Sequence, residues 1–113
     1  MPSVTRSATV MAFVCLLTTM GCVHTAPFTD SDGRIVPHSV ATMERVTLGG
    51  LSQSLWFRGV SDLNPVLILL HGGPGASEAP LFRHFNAVLE QHYVVIYWEQ
   101  RGAGRSFSSD IPQ

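Results

Sequence analysis

The stretch LILLHGGPGASEAP, Leu67 to Pro80, decides the fold prediction because an apolar segment runs directly into a glycine loop. It overlaps VLILL, Val66 to Leu70, in which every residue is apolar. Such runs are typical of strands that are buried on both faces of a parallel sheet. Loops at the carboxyl ends of parallel strands are where α/β proteins place their chemistry, so HGGPG, His71 to Gly75, is the first candidate site.

A helix and a second apolar strand are predicted after the glycine loop. Ser77 is a candidate N-cap, and Pro80 is tolerated in a first helical turn. The run YVVIYW, Tyr93 to Trp98, predicts another buried strand, and the whole predicts one right-handed parallel βαβ unit. His84 and His92 lie on or near the helix and are interpreted as surface or helix-end residues. The apolar face of the predicted helix consists of Leu81, Phe82, Phe85, Val88 and Leu89.

A β-hairpin is predicted before this unit. The segments MERVTL, Met43 to Leu48, and QSLWFRG, Gln53 to Gly59, alternate between polar and apolar residues, with the turn signal Gly49-Gly50 between them. The predicted fold class is therefore α/β, with a β-hairpin followed by a parallel βαβ unit. Since the sequence offers a single amphipathic helix, at least one sheet face stays bare and one parallel edge stays unpaired. The sequence therefore looks incomplete as a folding unit.

The N-terminal residues have the layout of a secretory signal peptide. Arg6 supplies a positive charge, and the apolar run from Ala8 to Leu17 is too short to span a bilayer as a stable helix. Gly21-Cys22 resembles the bacterial lipoprotein type, in which the cysteine is lipidated and becomes the new N-terminus. The alternative is ordinary secretion with a cut near Ala26, which the following proline disfavours.

This interpretation divides the chain into a signal peptide over 1–21, a tether over 22–41 and a domain portion over 42–113. The tether is rich in Thr, Ser, Asp, Pro and Gly and is predicted to be extended and irregular. Lipid on Cys22 predicts an exported protein that is anchored to the membrane of the bacterial cell envelope without spanning it.

The composition excludes several classes of protein. The chain has 113 residues, of which 45% are hydrophobic and 13% are charged, so one small globular domain is predicted. The net charge of −1 and the lack of a basic stripe argue against a nucleic-acid partner. Because Cys15 belongs to the predicted signal and Cys22 is the predicted lipid site, no cysteine is left for an intrachain disulfide.

Three interpretations compete for the glycine loop. A phosphate cradle is disfavoured, because the sequence has neither G-x-G-x-x-G nor a P-loop and contains no lysine. A tight structural turn is possible, since glycine adopts positive φ freely. An oxyanion loop fits best, because bare backbone N–H groups can approach a reacting atom and a loop after the third strand has this role in α/β-hydrolases.

The two glycine-rich loops together resemble those of the proline iminopeptidase branch of the α/β-hydrolases. HGGPG is followed, after one helix and one strand, by YWEQRGAGRSF, Tyr97 to Phe107. The resemblance extends from about Thr42 to Phe107, and it implies a serine hydrolase that removes N-terminal residues, often proline, from peptides. Glu99 departs from the pattern, because that family usually has Asp at this position.

The resemblance also implies roles for individual residues. Gly72 and Gly73 form the oxyanion loop, with the Gly73 N–H as the favoured donor. His71 is implied to be structural, because the catalytic histidine of that family lies near the C-terminus of the full domain. Arg101 is implied to brace the two loops by hydrogen bonds to carbonyls, the alternative being a solvated side chain. The full bracing set is His71, Pro74, Gly75, Arg101, Gly102 and Gly104.

The nucleophile of the α/β-hydrolase fold has no counterpart in this sequence. That serine lies in G-x-S-x-G, and the nearest segment here, GASEA around Ser77, follows the wrong strand and lacks the last glycine. Ser106 belongs to the second loop and has no partner base in view. The first hypothesis is therefore that the chain is the N-terminal part of a lipid-anchored serine peptidase and is inactive alone.

Two alternatives stand beside that hypothesis. The chain is a non-catalytic remnant or an envelope protein that needs a partner, or it belongs to a hydrolase with an Asp nucleophile of the epoxide hydrolase or dehalogenase kind. The predicted substrate is a small peptide, amide or ester. No cofactor and no metal are predicted, and the oligomeric state is left open.

Overall fold

The computed structural model describes residues 24–72 and 75–111. The predicted signal peptide, the lipid site Cys22 and the loop residues Gly73 and Pro74 lie outside the described residues. The strands are β1 (Val40–Leu48), β2 (Leu51–Gly59), β3 (Val66–Leu70) and β4 (Val94–Glu99), the α-helix is α1 (Ala79–Asn86), and 3₁₀ helices cover Ala87–Gln91 and Gly104–Ser106.

The predicted hairpin is confirmed. β1 and β2 pair antiparallel with Leu48 opposite Leu51, which leaves Gly49 and Gly50 as a two-residue turn. Both glycines have positive φ, +59° and +82°, as a type I′ hairpin turn requires. β1 begins at Val40, two residues before the predicted start of the domain portion.

One mixed sheet of four strands, in the order β1-β2-β4-β3, holds the hairpin and the βαβ unit together. β3 and β4 run parallel, as predicted, and β2 runs antiparallel to β4. The carboxyl ends of β3 and β4 therefore lie at the same edge, where Leu70 pairs with Trp98. Such a mixed sheet with few helices is compatible with an incomplete α/β domain.

The hydrophobic core lies between one face of the sheet and helix α1. Val95 and Tyr97 of β4 are completely buried, and Trp56 of β2 is nearly so. The ring of Tyr97 makes edge-on contacts with Trp56 and Phe82, with centroid distances of 6.4 and 6.2 Å. Leu67 of β3 packs against the same cluster, which accounts for one face of that strand.

The prediction that β3 is buried on both faces is wrong. Val66, Ile68 and Leu70 are 61%, 55% and 60% exposed. β3 is an edge strand of the sheet. Because side chains alternate between the two faces of a strand, these three residues point away from α1, on the face opposite Leu67. This exposed row agrees with the expectation that one helix leaves a sheet face bare.

The predicted apolar face of the helix is only partly used. Phe82 and Leu89 pack against the core, whereas Leu81, Phe85 and Val88 are 63%, 72% and 64% exposed. The α-helix ends at Asn86 and continues as a 3₁₀ helix, whose three residues per turn change the direction of later side chains.

The start of α1 differs in detail from the prediction. Glu78, not Ser77, is the N-cap residue. The Ser77 hydroxyl accepts a long hydrogen bond from the Ala79 N–H at 3.4 Å. Pro80 lies in the first turn, as predicted.

Part of the predicted tether is attached to the sheet. Arg58 of β2 donates hydrogen bonds from Nη1 to the Thr25 hydroxyl at 2.5 Å and to the Ala26 carbonyl at 2.7 Å. Its guanidinium also lies 4.5 Å from the centre of the Phe28 ring. Thr25 is buried as a result, so this segment of the predicted tether is attached to β2 at Thr25, Ala26 and Phe28.

A cluster of buried charged side chains connects this attachment to the 3₁₀ helix Ala87–Gln91. Glu90 accepts hydrogen bonds from Arg58 at 2.9 Å, from the Tyr97 hydroxyl at 2.8 Å and from Arg83 at 3.3 Å. Burial, followed by the hydrogen bond to Glu90, raises the pKa of Tyr97 above its usual value near 10. None of the helices in the described residues has the length and apolar character to cross a membrane.

Candidate functional site

Two loops at the carboxyl edge of the parallel strands form the candidate site. The first begins at His71, directly after β3, and the second begins at Gln100, directly after β4. Since β3 and β4 are neighbours and run parallel, both loops leave the sheet on the same side. The topology therefore places His71 and Gln100, the first residues of the two loops, next to each other.

His71 and Gln100 join the two loops through two hydrogen bonds. The backbone N–H of Gln100 donates to His71 Nε2 at 3.0 Å. The side-chain amide of Gln100 donates from Nε2 to the His71 carbonyl at 2.9 Å. A ring nitrogen that accepts an N–H carries no proton, so the neutral imidazole carries its proton on Nδ1. This Nδ1 is buried and has no hydrogen-bond partner among the described residues.

Gly72 and Gly75, the described glycines of the first loop, differ in whether their backbone conformation favours glycine. Gly75 has φ of +76°, which favours glycine. Gly72 is exposed and is not among the glycines with positive φ, and a Cβ added there meets no atom of the residues that the structure describes within 4 Å. Its missing side chain therefore leaves open space beside the peptide group. Gly73, the predicted oxyanion donor, and Pro74 lie outside the described residues, so their roles stay predictions.

Gly102 and Gly104 shape the second loop with φ of +81° and +47°. A Cβ on Gly104 would lie 2.5 Å from Glu99 Oε1 and 3.0 Å from the Cβ of Ser77. Glu99 is 2% exposed, and its Oε2 accepts the Arg105 N–H at 3.1 Å. The absence of a side chain at Gly104 thus leaves room for the carboxylate of Glu99. Glu is one methylene longer than the Asp that is usual here in the family that the sequence resembles.

Ser106 has a structural role in the second loop. Its hydroxyl accepts the Ser54 N–H at 2.7 Å and donates to the Glu99 carbonyl. The side chain is buried, at 2% exposure. Both capacities of the hydroxyl are used by backbone groups of β2 and β4, so Ser106 is not placed as a nucleophile.

Arg101 is exposed at the edge of the site. Its backbone N–H donates to Gln53 Oε1 at 2.9 Å, but its guanidinium makes no hydrogen bond within 24–72 and 75–111. The predicted bracing of the loops by this side chain therefore stays a prediction. In the described part of the chain, Gln100 makes the contact that was expected of Arg101.

Gln53 is a second residue that the sequence analysis missed. Its Oε1 accepts hydrogen bonds from the Trp98 indole and the Arg101 N–H, both at 2.9 Å. Its Nε2 donates to the Leu48 carbonyl at 3.0 Å, next to the hairpin turn. The sequence does contain a signal for this residue. Gln53 lies at alternate positions with the apolar Leu55 and Phe57, on the strand face where another apolar residue would be expected.

An open pocket of about 280 Å³ adjoins the second loop. Its lining combines apolar residues with polar and charged ones. Within 24–72 and 75–111, no cluster of three His, Cys, Asp or Glu side chains could hold a metal ion. The pocket is lined by Leu48, Gly49, Gln53, Trp98, Gln100 and Arg101.

Comparison with known proteins gives one informative match. No protein-family model and no solved structure matches the chain. The probable aminopeptidase YbaC of Bacillus subtilis strain 168 is 42% identical over 73 residues, which are 65% of this chain and 23% of that protein. The chain thus spans about a quarter of the length of this relative. The match supports a peptidase-like relationship.

Proposed function

We propose that residues 42–113 are the N-terminal portion of an α/β-fold hydrolase that removes N-terminal residues from peptides in the manner of proline iminopeptidases. The observation that carries this proposal is the 42% identity over 73 residues to a probable aminopeptidase. The meeting of the two glycine-rich loops at one sheet edge supports it, since α/β folds place reacting groups there.

The glycine loop supplies electrostatic stabilisation in this proposal. Backbone N–H groups of Gly72 and Gly73 bind the oxygen of the scissile carbonyl as it becomes negative during nucleophilic attack. Removing one such donor typically costs about 3–4 kcal/mol of transition-state stabilisation. The space beside Gly72 supports this role, because no side chain of the described residues lies within 4 Å of the place that its own Cβ would take.

The attacking serine and its histidine and acid belong to a further part of the enzyme in this proposal. The present sequence has no G-x-S-x-G, and Ser106 is occupied by backbone hydrogen bonds. The exposed apolar row Val66, Ile68 and Leu70 supports a covering by further structure. The proposed substrate is a small peptide, and the chemistry uses no cofactor.

A segment exchange tests the proposed function. The 73 matched residues of the Bacillus subtilis protein are replaced by those of this chain, and release of p-nitroaniline from prolyl p-nitroanilide is measured for parent and hybrid. We expect the hybrid to keep activity within about tenfold of the parent. Gly73→Val in the hybrid should lower kcat by about 10²–10³-fold by obstructing the oxyanion loop, whereas Gln91→Glu, on an exposed side chain, should change it little.

Two results of this exchange would contradict the proposal. A parent that hydrolyses neither prolyl nor other aminoacyl anilides removes the peptidase assignment. A folded hybrid without activity, beside an active parent, shows that these loops do not form the site and favours a non-catalytic remnant.

We also propose that the protein is exported and anchored by lipid on Cys22. The support is the order of Arg6, an apolar run and Gly21-Cys22 in the sequence. Metabolic labelling of the native protein with a fatty-acid analogue tests it. Label should be lost in Cys22→Ser and kept in the matched variant Cys15→Ser, and label that survives Cys22→Ser contradicts the proposal.

A further inference from the structure

We infer that Gln100 is a positioning residue that sets the direction of the first N–H in the glycine loop. This inference rests on the proposed function for its catalytic consequence, but its geometric part stands alone. Gln100 holds His71 at two points, the ring nitrogen and the carbonyl oxygen, over 3.0 and 2.9 Å. The second of these contacts controls the peptide unit between His71 and Gly72.

The planarity of the peptide bond makes this control possible. In a trans peptide, the carbonyl of one residue and the N–H of the next lie in one plane and point in opposite directions. The Gln100 amide holds the His71 carbonyl toward the second loop. The Gly72 N–H therefore points away from the second loop.

The ring contact gives His71 a second point of attachment to Gln100. The Gln100 N–H leaves β4 at a fixed place, because Glu99 before it is buried and pairs with Ser54. With Nε2 of His71 held on that N–H and its carbonyl held by the Gln100 amide, His71 is restrained through both its side chain and its backbone. Gly72 has no side chain that could restrain the peptide unit between His71 and Gly72. The orientation of that peptide unit therefore comes from Gln100.

Two substitutions separate the contributions of Gln100. Gln100→Met keeps the length of the side chain and removes its donor. Gln100→Glu also places a carboxylate against the His71 carbonyl, which repels it. The backbone N–H contact to Nε2 remains in both. Gln91→Glu is the matched control, since Gln91 is an exposed glutamine whose side chain makes no hydrogen bond among the described residues.

The first measurement uses the full 113-residue chain and needs no activity. Residual dipolar couplings report the orientation of the Gly72 N–H, and long-range ¹H–¹⁵N correlation reports which nitrogen of His71 carries the proton. We expect the unprotonated nitrogen to be Nε2 in all variants. The Gly72 coupling should change in Gln100→Met and more in Gln100→Glu, and should stay unchanged in Gln91→Glu. An unchanged Gly72 coupling in both Gln100 variants overturns the inference.

The second measurement uses the native protein from its source, carrying the same substitutions. If the Gly72 peptide helps to bind the oxyanion, Gln100→Glu should lower kcat on prolyl p-nitroanilide by about 10–100-fold and leave KM within about threefold. Equal falls in kcat for Gln100→Glu and Gln91→Glu overturn the catalytic part of the inference. An inactive unsubstituted protein instead contradicts the proposed function, while the couplings still decide whether Gln100 positions Gly72.

Discussion

The guanidinium of Arg58 donates a hydrogen bond to the Glu90 carboxylate at 2.9 Å, and both side chains are almost completely buried. The same guanidinium donates hydrogen bonds to Thr25 and Ala26. The Arg58 side chain therefore connects the N-terminal segment, the sheet and the 3₁₀ helix that contains Glu90. Removing one partner of a buried ion pair is strongly destabilising, because it leaves a buried charge without compensation. This pair therefore makes the attachment of the N-terminal segment depend on the folding of the sheet.

Arg58→Ala should destabilise the chain by about 3–5 kcal/mol, because it leaves the buried Glu90 carboxylate with less compensation. The free energy of unfolding in urea measures the loss. Arg34→Ala is the matched control, since the Arg34–Asp32 pair at 2.7 Å has side chains that are 75% and 64% exposed. Its loss should stay below about 1 kcal/mol. Equal losses in the two variants would show that the buried pair is not special.

Tyr97 should make the chain less stable above pH 10. Burial and the hydrogen bond to Glu90 raise its pKa in the folded state above its unfolded value near 10. A raised folded pKa gives a contribution to stability that is complete below the unfolded pKa and is lost as the pH rises through the folded pKa. The seven cationic residues are all arginine, so no lysine titrates in this range.

Urea midpoints at pH 8 and pH 11 test this prediction. The difference between the two should become smaller in Tyr97→Phe and should persist in Tyr93→Phe, in which Tyr97 is intact. If Tyr93→Phe removes the difference and Tyr97→Phe does not, the assignment to Tyr97 is wrong.

Ser106→Ala should cost about 1–3 kcal/mol, because the buried Ser54 N–H loses its acceptor. Thermal or urea unfolding of the full chain measures the effect. Ser109→Ala, at an exposed position, should change stability by no more than about 0.5 kcal/mol. A neutral Ser106→Ala would mean that the hydroxyl does not hold β2 and the second loop together.

Gly104→Ala should destabilise the chain more than Gly102→Ala. Both positions have positive φ, which costs a residue with a side chain about 1–2 kcal/mol. A Cβ at Gly104 would also lie 2.5 Å from the buried Glu99 carboxylate, whereas the nearest atom at Gly102 is Ile111 Cδ1 at an ordinary 3.6 Å. Combining Gly104→Ala with Glu99→Asp should recover part of the difference, and a double variant no better than the single one would contradict this account.

The pairing of strands is predictable from the sequence where the signals are local. Alternation around Gly49-Gly50 gives the hairpin, and the two apolar runs give β3 and β4, because these patterns concern residues close together in the chain. The burial of β3 is not predictable in this way. It depends on which strand ends the sheet and on what covers each face, and neither is encoded in Val66–Leu70 itself.

The candidate site shows the same division. The meeting of the two loops follows from parallel strands of known order, so it is predictable once β3 and β4 are recognised. The contact from Gln100 to His71 is not, because a glutamine next to an arginine offers no reason to prefer it as the brace. Side-chain direction at the end of β4 decides between Gln100 and Arg101, and that direction comes from tertiary packing.

We propose that this chain contributes the oxyanion loop of a serine hydrolase. The most direct test is to isolate the native protein from its source with an antibody against the sheet, react it with a fluorophosphonate probe and measure the intact mass. We predict a mass well above the 12.3 kDa of this chain, with one probe bound at a serine outside residues 1–113. A mass that corresponds to residues 22–113 with lipid, and no bound probe, would contradict this proposal.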